Sequence, residues 1–367
     1  MNSKYYPLIK LARQAALMKR RFTLPIKLLM SGFIRSESYY PELPQKSRFR
    51  IAMELLGHIM KYGSIEWHYF SYGFDVKGLR NKKDYVDDSW FLWKCAMLNS
   101  VLINHDYTCI LRDKDLFATI LTAWEFETPH TIAVVRSASE AESVADKLLS
   151  SKRACFCKPM DGQCGGGVFK LLVEDDYAEI DGESLSLVEA RRSLVDFFSS
   201  GFYLIQTLVI QHPDVSKIYD KSVNTIRLIT VYDKKNDEVI TLSAILRVGV
   251  HGNTVDNWAK GGLVVGIDLD KGVLKEYAYF KHGNGTKTQV HPDTGFVFKG
   301  FSIPYCHEAV RLAMALHERL KSIVIIGWDI AITVDGPLLI EGNDNMEISL
   351  NQTANGGLKK ACDPLFF

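Results

Sequence analysis

Apolar and polar positions change their rhythm near the middle of this chain. In the first 95 residues the spacing is mainly helical. The clearest case is "SRFRIAMELLGHIMKYGS" (residues 47–64), where apolar side chains recur three and four apart. It is followed by "IEWHYFSYGFDVKGL", dense in aromatic residues, which reads as core rather than as a pocket lining. "DKDLFATILTAWEF" predicts a helix opening at Asp113 as N-cap, "TIAVV" a strand, and "SASEAESVADKLLSS" a further helix. Beyond residue 152 strands dominate: "ACFCKP", "GVFKLLV", "FYLIQTLV", "NTIRLITVYD", "VITLSAILRVGV" and "GLVVGIDL". One more helix, "CHEAVRLAMALHERLKSI", precedes a final hairpin, "GWDIAITVDGPLLIEGNDN". The order predicts an α+β fold, with no internal repeat and no low-complexity linker.

That hairpin carries a conflict. Val334-Asp335-Gly336 suits a three-residue loop with Gly336 left-handed, which would pair Ile332 with Leu338, Ile330 with Ile340 and Asp329 with Glu341. Asn343 then shares a face with Glu341, because side chains alternate along a strand. Opposed carboxylates repel unless a cation lies between them. Two carboxylates and an amide oxygen are the hard ligands magnesium takes. The alternative is that Asp329 merely ends a strand while Glu341 meets a lysine or arginine.

Composition narrows the choice of chemistry. Among 367 residues, 47% are hydrophobic and 24% charged, as in ordinary globular proteins, and a net charge of +1 gives no footing for nucleic acid. The seven cysteines have no zinc-binding spacing, which fits a reducing cytoplasm. No apolar run reaches the ~18 residues that would span a bilayer. The N-terminus stands out: Lys4, Lys10, Arg13, Lys19, Arg20, Arg21, Lys27 and Arg35 occur with no acid before Glu37, interleaved with apolar residues. Lys27 breaks the apolar stretch, which argues against a secretory signal. The segment suits either a helix packed on its own domain or peripheral contact with an anionic membrane, at its inner face.

Glycines supply the next element. "CKPMDGQCGGGVFKL" gathers Gly162, Gly165, Gly166 and Gly167 in a loop after a strand ending at Lys158. Such a loop turns backbone N–H groups toward an anion, and Lys158 would add a point charge. A Walker loop would need Gly-Lys-Ser/Thr running into a helix; this loop runs into a strand, so it reads as a flap between two antiparallel strands. Cys164 reads as a small loop residue, and no nucleophile arrangement is evident. Arg227 and Arg247, on adjacent strands among apolar neighbours, need anionic partners, whether structural salt bridges or substrate.

In four ordered pieces, "RDK", "KPMDGQCGGGV", "SVNTIRLITVYD … RVGVHGNTVDNWAKGG" and "GWDIAITVDGPLLIEGND", the chain resembles the ATP-grasp superfamily over roughly residues 105–350. The branch it looks most like is the sugar-transfer-associated one, related to α-L-glutamate ligases. The resemblance implies two α+β subdomains gripping ATP: residues 96–205 with the flap and 206–367 with the hinge, arginines and metal hairpin, after a helical region at 1–95. It implies that Lys114 and Lys158 hold phosphates and that Gln206, Thr207, Leu208 and Val209 frame adenine through backbone groups. Gln211 or Asp214 would meet the ribose. Asp329, Glu341 and Asn343 would bind magnesium, two ions in all. Arg227 and Arg247 would face the γ-phosphate and a substrate carboxylate; Asn257 and Lys260 would steady the transferred phosphoryl group, with Gly261 and Gly262 allowing close approach. The implied reaction joins a carboxylate, small or glycan-linked, to an amine through an acyl phosphate, in polysaccharide synthesis. A phosphotransferase acting on a hydroxyl and a non-catalytic nucleotide-binding protein are the alternatives.

Overall fold

The protein is described here from a computed structural model covering residues 6–99, 107–160 and 167–366. Helices lead: α1 (Tyr6–Met30), α2 (Arg48–Tyr62) and α3 (Asp88–Asn99). α2 starts where the Ser47 hydroxyl accepts a hydrogen bond from Arg50 N and stops at Gly63, whose φ of 68° the absent side chain permits. Between α2 and α3 the aromatic segment is core, as its composition predicts. Tyr69, Phe70, Tyr72 and Phe74 are all buried.

Two antiparallel sheets follow. The first is built from β1 (Thr131–Val135), β2 (Cys155–Pro159), β3 (Phe169–Val173), β4 (Tyr177–Ile180), β5 (Glu183–Ser186) and β6 (Tyr203–Thr207), in the order β1-β6-β2-β3-β4-β5. Preceding it in the chain are a single turn, α4 (Cys109–Arg112), and α5 (Lys114–Ala123). α6 (Ala141–Ser150) and α7 (Leu187–Ser199) cover one face through Ala145, Leu148, Leu194 and Phe198. β2 and β3 pair antiparallel, with Cys157 opposite Phe169, so the glycine loop does join two antiparallel strands. Gly162, Cys164, Gly165 and Gly166 lie outside the described residues.

After a turn, α8 (Pro213–Ser216), the second sheet takes over, with β7 (Thr225–Asp233), β8 (Glu238–Val248), β9 (Leu263–Asp268), β10 (Val273–Phe280), β11 (Lys287–Thr288), β12 (Ile325–Thr333) and β13 (Gly336–Asn343) in the order β11-β10-β9-β8-β7-β12-β13. The two-residue period sorts its faces. Ile226, Leu228, Leu246, Ile326, Trp328 and Ile330 point to a core shared with α9 (Cys306–Arg319), α4 and α5. Ile229, Val231, Ile245 and Ile325 point the other way. That second face is covered by the N-terminal region, where Tyr39, Tyr69 and Phe70 share one cluster with Ile245, Trp258, Val264 and Tyr279. α3 extends the cover with Phe91 and Cys95, as do two closing helices, α10 (Ser349–Asn355) and α11 (Lys359–Phe366), which contribute Leu350 and Cys362. The first 95 residues therefore complete a sheet rather than stand beside it.

The hairpin differs from its expected form in one respect. Thr333 pairs with Gly336, so the turn is two residues long, Val334-Asp335, and Gly336 keeps a positive φ of 124° that its missing side chain permits. A bulge at Ile340 then shifts the register by one, because Ile330 pairs with Leu339 while Asp329 pairs with Glu341. The shorter turn and the extra residue offset each other. The opposed carboxylates survive.

Candidate active site

One row crosses the second sheet on the face the N-terminal region covers: Ile245, Arg227, Asp329 and Glu341 lie side by side on β8, β7, β12 and β13. Arg227 grips Asp329 with both ends of its guanidinium, Nε to Oδ1 at 2.5 Å and Nη2 to Oδ2 at 2.9 Å. Arg247, two residues along β8, reaches the same carboxylate from Nη2 to Oδ2 at 3.2 Å and Asp256 Oδ1 at 3.2 Å. Its Nε donates to Thr225 Oγ1, and Thr225 in turn donates N–H and O–H to Asp256 Oδ2. Burial pushes the Asp329 carboxyl upward, but the two arginines outweigh it and hold the group below the ordinary carboxylate range. Both arginines thus have structural partners in the same place where they face the row.

Glu341 is different. Half-buried opposite Asp329, its carboxylate makes no hydrogen bond or ion pair among the described residues. Asn343 follows on the same face, and its amide nitrogen donates to Gly327 O at 3.4 Å, which leaves the amide oxygen as the open acceptor. An ionised carboxylate offers about four lone-pair sites. Three donors fill Asp329, so one remains. The donor set of Glu341, Asn343 and the last site on Asp329 fits a hard divalent cation such as magnesium.

Two lysines interact with this centre by charge, Lys158 from the first sheet and Lys114 beside it. Lys158, at the end of β2, is buried; burial pushes its ammonium down to about 8, with Glu341 opposing and Lys114 adding to the fall. Lys114 opens α5, whose N-cap Asp113 accepts from the backbone of Asp115 and Leu116, and its Nζ donates to Met160 O beside the flap. A bidentate pair between Arg112 and buried Asp344 ties this start of α5 to the end of the β12–β13 hairpin. Phe117 and Leu121 anchor α5 in the core of the second sheet, whereas Cys155 and Cys157 place the strand of Lys158 in the core of the first.

The remaining expected residues fall around this centre. Gly167, the described part of the flap, has φ 69°, and a Cβ there would lie 3.0 Å from Pro159. Gln206 is buried in β6 with its side chain on Pro129 O; Thr207 exchanges hydrogen bonds with His130, and half-buried Leu208 and Val209 then lead out of the sheet. Gln211 is spent on the carbonyls of Tyr219 and Ser222, and Asp214 pairs with Lys217 at the surface. Asn257 caps the turn Trp258–Lys260, Oδ1 accepting from Ala259 N, and Lys260 is exposed beside it. A Cβ on Gly262 would meet three backbone oxygens at 3.0 Å, which explains the glycine at the loop's return. Trp258 pins this loop to the N-terminal region by stacking on His68. Asp256, Thr225, Arg112 and Asp344 are absent from the residues singled out by sequence, although the first lies within "DNWAKGG" and the last within the hairpin's final turn.

A profile of the sugar-transfer associated ATP-grasp family matches residues 98–362. The chain belongs to that family. Its fold is the ATP-grasp fold, with ATP as its nucleotide. No curated protein matches it. Among solved structures this ATP-grasp protein is similar to D-cycloserine synthetase DcsG, at 17% identity over 74% of this chain and 76% of that one, with a TM-score of 0.40. D-alanine–D-alanine ligase from Bacillus anthracis matches at 14% identity over 72% and 66%, TM-score 0.40. The ADP complex of purK, an N5-carboxyaminoimidazole ribonucleotide synthetase, matches at 12% over 72% and 53%, TM-score 0.41, so the chain spans about half of that protein's length.

Proposed function

We propose that this ATP-grasp protein activates a carboxylate with ATP and joins it to an amine. What carries the reading is the Glu341 carboxylate, which makes no hydrogen bond or ion pair among the described residues and is set beside Asn343 and Asp329, where it attracts Lys158, itself close to Lys114. In the first step a carboxylate oxygen of the substrate attacks the γ-phosphorus, the bond to the bridging oxygen breaks, and ADP leaves with an acyl phosphate formed. In the second, an amine nitrogen attacks the acyl carbon, inorganic phosphate departs and the nitrogen loses a proton. Glu341, Asn343 and Asp329 would hold magnesium, which neutralises phosphate charge when bound. Lys158 and Lys114 hold phosphate oxygens, while the N–H donors of Arg227 and Arg247 not engaged by Asp329, Asp256 and Thr225 serve the γ-phosphate and the substrate carboxylate. Catalysis of this kind is positioning and charge neutralisation, which matches a site rich in cations with no activated nucleophile. The carboxylate is a sugar acid or amino acid, free or glycan-linked, of polysaccharide synthesis, and nucleic acid is not a partner.

Incubating the protein with ATP, magnesium, pooled uronic and amino acids and hydroxylamine tests this. Mass spectrometry should find ADP and a hydroxamate, which names the carboxylate. ADP with a stable phosphorylated hydroxyl compound would replace the ligase reading with phosphotransfer. ADP formation unaffected by Glu341→Gln would remove the site itself.

A further inference from the structure

α1 is apolar on two faces. Inward, Leu28 is fully buried in the N-terminal core and Leu17 packs on Gly63 at the end of α2. Outward, Leu11, Met18, Phe22, Ile26 and Leu29 recur at helical spacing and fall within an arc of roughly 80°. They are 63%, 59%, 76%, 61% and 69% exposed. Neighbouring α2 adds a second apolar strip from Phe49, Met53 and Met60, all exposed. Single exposed apolar residues are common, but a stripe five side chains long on one face, with a further strip on the neighbouring helix, is not.

Charge selects the occupant. Residues 1–36 hold eight basic residues and no acid, and the rest of the chain holds 36 basic against 43 acidic. Lys19 and Arg21 fall on either side of the outward stripe. Two copies meeting through this face would set Lys19 and Arg21 of one against Lys19 and Arg21 of the other, with no acid in residues 1–36 to offset them, which opposes self-association. A bilayer with anionic headgroups answers both features, taking the apolar stripe into its acyl boundary and the lysines and arginines at its phosphates. No helix among the described residues is long and apolar enough to cross a membrane. We infer that α1, with the exposed strip of α2, lies flat on an anionic membrane surface and seats the enzyme there.

The test is sedimentation of the full-length protein with vesicles of phosphatidylcholine alone or with phosphatidylglycerol added, at low and high salt. Binding should require the anionic lipid and weaken with salt. The triple variant Phe22→Gln, Ile26→Gln, Leu29→Gln, whose side chains are all exposed, should keep the wild-type thermal midpoint. It should bind at least 100-fold more weakly, at about tenfold per side chain removed from the lipid boundary. Absence of binding to anionic vesicles overturns the inference, as does equal binding by the variant. Concentration-dependent dimers abolished by the same variant, without vesicle binding, would assign the face to a second copy instead.

Discussion

Replacing Lys158 with methionine should raise the stability of the ligand-free protein while removing its hold on nucleotide. The lysine is buried, and its ammonium is displaced from an ordinary 10.5 to about 8, chiefly by burial. At about 1.4 kcal/mol per pH unit, the charged form costs the native state roughly 3 kcal/mol. Attraction to Glu341 is already contained in that figure, because it opposes the shift. Below pH 8 the ammonium is protonated in both the native and unfolded states, so the cost is fully present. From pH 8 to 10.5 the unfolded chain binds more protons than the native one, wild-type stability gains on the variant, and the difference closes. Methionine keeps the unbranched apolar stem and drops the charge.

Urea unfolding at pH 7 should therefore show the Lys158→Met protein more stable by about 2–4 kcal/mol, with the gap shrinking toward pH 10. Calorimetric titration with ADP should show affinity lower by roughly 10- to 100-fold, the worth of a hydrogen bond to a charged group. A residue held in an unfavourable state for the sake of its ligand gives these opposite signs; a structural residue gives loss of stability. A destabilised variant, or one that binds ADP as the wild type does, would refute the reasoning.

Glu341→Gln should leave the unfolding free energy within about 1 kcal/mol, since among the described residues the carboxylate makes no hydrogen bond or ion pair and loses only its attraction to Lys158 and Arg227, yet abolish turnover in an ADP-release assay. Asp329→Ala should instead lower stability by about 3–5 kcal/mol in urea, because it leaves Arg227 and Arg247 buried around an empty place. Glu66 is buried with its carboxyl pushed up to about 8 by burial and then by Asp87, so the native state keeps a proton that the unfolded state loses above 4.5. Stability should fall by about 1.4 kcal/mol per pH unit on that account up to pH 8. Glu66→Gln, compared with wild type by urea unfolding at pH 6 and pH 8, should remove about 2 kcal/mol of the fall.

Local signals in this chain were legible and distant ones were not. Asp113 as a cap, the glycine flap between strands and the Asp329–Glu341 pairing each depend on a few neighbouring residues, and alternation along the strand places Asn343 without further information. Even there the turn was two residues rather than three, and only the bulge at Ile340 restored the register. Bulges leave no mark in an apolar run such as "PLLIE". β4, β5 and α7 went unread although Ser186 and Glu189 form a capping box, the one local sign of the helix start. Arg227 and Asp329 are 102 residues apart, and Arg112 and Asp344 are 232 apart. A need for an anion can be inferred for a buried guanidinium from its neighbours, but which carboxylate answers it is decided by the fold.

The electrostatics of the row explain why the N-terminal region and the site share a face. Arg227, Arg247, Asp329 and Asp256 are each at most 15% exposed at the side chain, and charges so withdrawn from water interact far more strongly than at a surface. That withdrawal needs cover on the face they point to. Trp258, two residues from Asp256, sits in one cluster with Tyr69 and Phe70 and stacks on His68, so the aromatic segment both shields the sheet and fixes the loop that carries Asp256. Asp256 in turn holds Arg247 beside Asp329. The helical leader is thus part of the machinery that sets the charge of the site, and the same leader presents the basic, apolar surface of α1 to the outside.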